Sequence, residues 1–315
     1  MIISASRRTD IPAFYSDWFM GRLKEGYALV PNPRNPGRIG RVAISPQNVD
    51  CIVFWTKNPL PMLGRFGALD NMGYAHYTQF TLTPYGTDIE PLLPPKSSLL
   101  QAFTDMAALV GKQRCVWRYD PIFIDDKRSV AWHLAMFSKM CKKLENCTER
   151  CVLSFIDPYR HIGKSFRAMT TDEIHAIASG FSEIAAKHGI ALFTCSEEID
   201  LSDYEIGHSA CIDQTLIEKI IGCSIKAKTD ANQRAACCCV ESVDLGAYDT
   251  CPHGCTYCYA TFSRKTVLRR VQAHDPAAPM ITGWPNGSEI ITDRTTTSQK
   301  IAQISLLDQG VLTLP

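Results

Sequence analysis

The sequence predicts an α/β fold of the (β/α)-barrel kind, full or partial, and three observations lead there. Short apolar runs rich in β-branched and aromatic residues recur at 2–6, 51–55, 76–82, 115–119, 152–156 and 190–195, and each has the length of a buried strand. Stretches with helical periodicity alternate with them at 16–25, 98–111, 130–143, 171–187 and 213–221, and that alternation marks parallel βαβ units. The apolar runs give way at once to polar residues, which in a barrel occupy the strand ends where active sites are built. Periodicity does not show closure, so a doubly wound sheet satisfies the same pattern.

Taken in order, the polar residues after the runs are Arg7, Arg8 and Asp10; Thr56, Lys57 and Asn58; Thr81 and Thr83; Arg118 and Asp120; Asp157 and Arg160; and Ser196 and Glu197. Any one of them also reads as a helix cap or turn residue. Their recurrence at equivalent places makes Arg118, Asp120 and Glu197 candidate catalytic groups. The helix at 171–187 opens on acidic residues suited to an N-terminus and stops at Gly189. A seventh strand is expected at 239–245, followed by a cysteine loop and a helix over 258–270. The Pro/Gly-rich stretch 31–40 reads as a lid or as a long surface connection, and 83–95 as another loop. Residues 1–272 are expected to form a single barrel-like domain carrying the loop at 251–258. Residues 273–315, rich in Pro, Gly, Ser and Thr, are expected to be a tail packing on it.

With 315 residues, 45% hydrophobic and 21% charged, the chain suits one large domain or two smaller ones. The first residues lack the basic and apolar regions of a secretory signal, and no run approaches a membrane span, so a cytoplasmic location is expected. Net charge is only +1, which argues against a nucleic-acid partner. Residues 1–65 nevertheless hold nine Lys/Arg against four Asp/Glu. That excess reads as an ordinary solvated face or as a mouth for a small anionic substrate.

Fourteen cysteines in a reducing compartment do not read as disulfides. Cys51, Cys115 and Cys151 lie in strand-like runs and are expected to be buried small hydrophobes. Nine of the fourteen fall within 195–258, which points to metal chemistry there. The tightest group is Cys251-Pro-His-Gly-Cys255-Thr-Tyr-Cys258, spaced C-x3-C-x2-C. Three thiolates so close can share one iron–sulfur cube and leave one iron without a protein ligand. A zinc site completed by His253 or Cys239 is the alternative. Upstream, Cys195, Cys211, Cys237 and Cys239 have the donor type for a second metal site, or are free thiols packed near the first. Cys237 and Cys239 point the same way if that segment is extended.

The C-x3-C-x2-C loop, ending Tyr257-Cys258-Tyr-Ala260, resembles the cluster loop of the radical S-adenosylmethionine (SAM) enzymes, and in particular the branch with spore photoproduct lyase. The whole chain is similar to the DUF1848 family. The stretches that carry this are Ser6-Arg-Arg-Thr-Asp10-Ile-Pro12, Phe54-Trp-Thr-Lys-Asn-Pro59, Arg118-Tyr-Asp-Pro121, Cys195-Ser-Glu197 and Gln233-Arg234 ahead of the cysteines. The resemblance implies a [4Fe–4S] cluster on Cys251, Cys255 and Cys258, with SAM on its open iron and a 5′-deoxyadenosyl radical as the reactive product. It also implies an electron donor such as a flavodoxin or ferredoxin. Because the loop comes last rather than first, it implies a radical SAM barrel permuted in sequence. Arg7, Arg8 and Lys57 are candidates to hold SAM, and Tyr257 to pack over the cluster. The Gly-Gly-Glu element that many of these enzymes use for the SAM amino group has no copy here. A cluster protein that does not use SAM, or a barrel with structural zinc that binds a metabolite, would carry the same thiols.

Overall fold

The computed structural model describes residues 1–301 except 158, 160, 161, 163–165 and 235. Arg160 and the tail beyond residue 301 therefore lie outside the described residues. In chain order the strands are β1 (Ile2–Ala5), β2 (Tyr27–Asn32), β3 (Asn35–Ala43), β4 (Cys51–Thr56), β5 (His76–Thr81), β6 (Cys115–Ile122), β7 (Arg150–Phe155), β8 (Ala191–Thr194), β9 (Gly207–His208), β10 (Val243–Asp244) and β11 (Ile290–Arg294). The α-helices are α1 (Ile11–Phe14), α2 (Ser16–Glu25), α3 (Phe66–Asn71), α4 (Lys96–Val110), α5 (Val130–Leu144), α6 (Thr171–Lys187), α7 (Gln214–Ile221) and α8 (Arg264–Gln272).

Eight strands form one parallel sheet in the order β10-β1-β4-β5-β6-β7-β8-β9. Among the described residues its two edge strands, β10 and β9, do not pair with each other, so the sheet is open rather than a closed barrel. Successive side chains alternate between two buried faces, which is why the strands read as near-continuous apolar runs. Ile52 and Phe54 of β4 join Trp117 of β6 and Phe103, Phe137 and Phe181 of α4, α5 and α6 in the main core. Cys51 and Val53 of the same strand turn the other way, toward Tyr77, Val152, Ile212 and Leu216. That second face is covered by α7 and by the cysteine-bearing segments around it.

The helix signals act where the sequence placed them. Thr170 caps α6 in a reciprocal box with Glu173, and Asp213 caps α7 through the amide of Leu216. The last helix, α8, begins later than the 258–270 expected. Asp249 Oδ1 accepts from the amides of Phe262 and Ser263 and holds that stretch as a turn ahead of the Ser263 cap. The expected strand at 239–245 shrinks to Val243–Asp244. Residues 239–241 pair instead with 228–230, where Asp230 N donates to Cys239 O and Glu241 N to Lys228 O.

The stretch 31–40 is more than a plain connection. It is the hairpin of β2 and β3, turned at Asn32, whose Oδ1 accepts from the amides of Arg34 and Asn35. Strand β11, from far along the chain, adds to β3 in parallel to make a separate three-stranded sheet. Other parts of the 273–301 stretch are pinned to the body. Trp18 Nε1 donates to Ala278 O, and Ser298 Oγ to Asp50 Oδ1.

The seam between the first and last parallel strands rests on Asp244. Its carboxylate accepts from Ser4 Oγ, Ser6 Oγ, and the amides of Arg7 and Gly246. A Cβ on Gly246 would stand 2.1 Å from Ser6 Oγ and 2.6 Å from Ser6 Cβ. Ser6 is short and already bonded, so it has little room to yield. Gly246→Ala is therefore expected to cost about 1–3 kcal/mol, read as a lower urea midpoint.

Candidate active site

The loops after the parallel strands enclose a cavity of about 1140 Å3. This is the face where open and closed α/β sheets bind ligands, because loops from several strands converge there. Arg7, Lys57, Asp157 and Ser196 reach it from the ends of β1, β4, β7 and β8, and Arg118 from within β6. The β2–β3 hairpin and β11 supply an outer wall through Arg34, Arg38 and Arg294. The lining holds eight Lys/Arg against five Asp, so the cavity is weakly cationic although the chain is near neutral.

Cys251, Cys255 and Cys258 all line this cavity, each half-buried. The loop that carries them is fastened at its start and in its middle. Thr250 meets Thr9 through their hydroxyls and accepts from Tyr15 OH at 2.6 Å. His253 Nε2 pairs with Asp10 Oδ2 at 2.8 Å, and the same oxygen accepts from Lys57 N at 2.7 Å. Gly254 turns the loop with φ +72°, and a Cβ there would stand 2.9 Å from Arg264 Nη1. Burial pushes the Cys255 thiol up to about 12 and drives Cys251 well above its ordinary value.

Beneath the loop lies a carboxylate that the sequence did not single out. Glu90 is fully buried and receives Lys57 Nζ at 2.9 Å, Thr83 Oγ1 at 3.0 Å, Lys96 Nζ and Tyr257 OH. Burial opposes its charge, but Lys57 and Lys96 outweigh it and hold the carboxyl down at about 2. Lys57 is raised against its own burial by Glu90, whereas burial and the Lys57 charge lower Lys96. The Tyr257 ring lines the cavity with Lys57 Nζ 5.2 Å from its centre. Lys57 is thus committed to Glu90.

The other candidates divide. Arg7 stacks over Trp55 at 5.4 Å, and its Nη2 is buried with no hydrogen-bond partner among the described residues. Arg8 lies over Tyr248 at 5.0 Å. Arg118 holds Asp120 Oδ2 through Nε at 3.0 Å and Nη2 at 2.6 Å, and turns Nη1 to Cys211 Sγ at 2.8 Å. Both Arg118 and Asp120 line the cavity. Glu197 does not line it. It accepts from Ser154 Oγ and Phe155 N, and burial raises its carboxyl.

Cys195, Cys211, Cys237 and Cys239 are brought together against the second face of the sheet, all buried. Cys51, Cys115 and Cys151 are buried elsewhere in the two cores. Among the described residues, no group of three or more His, Cys, Asp or Glu is arranged, as it stands, to hold a metal ion. No described helix is long and apolar enough to cross a membrane.

A family model described as "Domain of unknown function (DUF1848)" matches residues 2–260. The chain belongs to the DUF1848 family. No curated protein matches this DUF1848 chain. Among solved structures it is similar to a putative alpha-L-fucosidase from Bacteroides thetaiotaomicron VPI-5482, at 12% identity over 71% of this chain and 81% of that one, with a TM-score of 0.27.

Proposed function

We propose that this DUF1848 chain is an iron–sulfur enzyme of radical SAM-like type, with Cys251, Cys255 and Cys258 holding a [4Fe–4S] cluster beside bound SAM. The observation that carries the reading is the convergence of those three thiols on one cavity at the strand ends. The residues fit such a group: three thiols within eight residues, turned by a glycine in the left-handed conformation, with no fourth cysteine in the loop. When bound, a cluster with one iron free of protein ligation supplies an electron for cleavage of SAM to methionine and a 5′-deoxyadenosyl radical.

The chain's own residues bind, orient and exclude water. Arg7, whose Nη2 has no hydrogen-bond partner among the described residues and whose guanidinium lies over Trp55, is placed to take a carboxylate. Asp120, held by two donors from Arg118, is the carboxylate presented for substrate binding or proton transfer. Glu197 braces β7 from behind, and the Glu90 network fixes Tyr257 beside the thiol loop. The cationic lining favours a small anionic substrate. Reduction calls for a one-electron donor such as a flavodoxin or ferredoxin.

We read the open sheet as a partial barrel of the radical SAM kind, permuted in sequence. The pairing of β10 with β1 supports this, because the strand that leads into the thiol loop stands where a first strand would.

The test is anaerobic reconstitution with iron and sulfide, then addition of dithionite and SAM. Methionine and 5′-deoxyadenosine are expected from the native chain and neither from Cys255→Ala. A reconstituted cluster without SAM cleavage would leave an electron carrier. Zinc instead of iron on these three thiols would remove the redox reading altogether.

A further inference from the structure

The four thiols on the second face of the sheet are a different set from the loop thiols and have no part in the function just proposed, although Cys195 and Cys211 reach the same cavity. Cys195 follows β8, Cys211 precedes α7, and Cys237 and Cys239 belong to the irregular stretch before β10. Cys195 Sγ and Cys211 Sγ touch at 2.9 Å. Cys237 and Cys239 are buried in the same cluster as that pair. The Ile212 amide donates to Cys239 Sγ at 3.4 Å.

Two guanidinium groups attend this set. Arg118 Nη1 donates to Cys211 Sγ at 2.8 Å, and Arg7 acts through its charge on both Cys239 and Cys211. Neutral thiols packed as small hydrophobes have no need of a buried and a half-buried arginine beside them. Four thiolates around a divalent ion carry a net charge of −2, and the two guanidinium groups, each also paired with an aspartate, offset part of it. An N–H aimed at sulfur is also the usual support of a metal-bound thiolate.

We propose that Cys195, Cys211, Cys237 and Cys239 form a closed tetrathiolate site for one zinc ion, which staples three loop segments onto the back of the sheet. Sulfur spacing selects the kind of centre. Four sulfurs about 2.3 Å from one ion stand about 3.7 Å from each other. The Cys195 and Cys211 sulfurs, now 2.9 Å apart, reach that spacing by separating less than about 1 Å, whereas an iron–sulfur cube would require a much larger separation. Most of the chain between α7 and β10 is irregular, so its order rests on such cross-links more than on regular hydrogen bonding.

The experiment uses the full chain carrying Cys251→Ala, Cys255→Ala and Cys258→Ala, expressed with added zinc and dialysed, so that the loop thiols contribute nothing. About one zinc per chain is expected by elemental analysis. Zinc should fall below a tenth of that when Cys211→Ser or Cys239→Ser is added. To separate loss of the site from loss of the fold, the triple-alanine chain is also alkylated and mapped by mass spectrometry with and without a strong chelator. Protection of all four thiols, lost together on chelation, is expected. Zinc retained in both serine variants, zinc absent from the triple-alanine chain, labelling unaffected by the chelator, or a Cys195–Cys211 disulfide would each overturn the proposal. None of these outcomes depends on whether the loop thiols hold a cluster.

Discussion

Glu90→Ala is expected to destabilise the fold by about 3–5 kcal/mol, far more than a typical surface ion-pair variant. The magnitude follows from what is left behind. Lys57 and Lys96 both approach Glu90, with side chains only 16% and 29% exposed. Without it they face one another as unpaired cations, and Thr83 Oγ1 and Tyr257 OH lose their acceptor. Glu145→Ala, which removes an exposed partner of His188, is the control and should cost under about 1 kcal/mol. Urea titrations of the two variants beside the native chain measure the difference.

The same carboxylate sets an acid limb. Its folded-state value is lowered from an ordinary 4.5 to about 2. A depressed carboxyl contributes stability that is complete above the unfolded value and lost as pH falls through the folded one. The contribution should therefore be intact above about pH 5 and fade between about 4.5 and 2, by on the order of 3 kcal/mol. Glu90→Gln should flatten that limb, so that native and variant stabilities converge as the pH approaches 2.

Much of the scaffold was legible because its strands are buried on both faces. A run such as Cys51–Thr56 is apolar nearly throughout, and α2 and α6 carry their periodicity and stop signals openly. The small sheet was not legible. Pro31, Pro33 and Pro36 are loop signals, and an edge hairpin tolerates them. Strand β11 is exposed at every residue and pairs with a partner some 250 positions away, so no local pattern marks it.

The site divides along the same line. Polar residues after strand runs pointed to the cavity, because chain direction in a parallel sheet puts those ends on one side. Sequence could not tell which of them are already spent. Lys57 is held by Glu90, a residue in a Pro-rich loop, and Glu197 by β7. Asp10 and His253 are 243 positions apart, and their pairing is what seats the thiol loop. The contact between Cys195 and Cys211 depends on the fold of the second face, although the density of cysteine in 195–258 was the signal that something there needed sulfur.

The second large effect concerns the loop thiols. Removing one of three ligands from a cube that already lacks a fourth leaves too few bonds to retain it. The measurement that bears most directly on the account is therefore iron and acid-labile sulfide per chain after anaerobic reconstitution, for the native protein and for Cys255→Ala. The account predicts about four of each in the native chain and nearly none in the variant. Iron absent from the native protein, or equal iron in both, would contradict it.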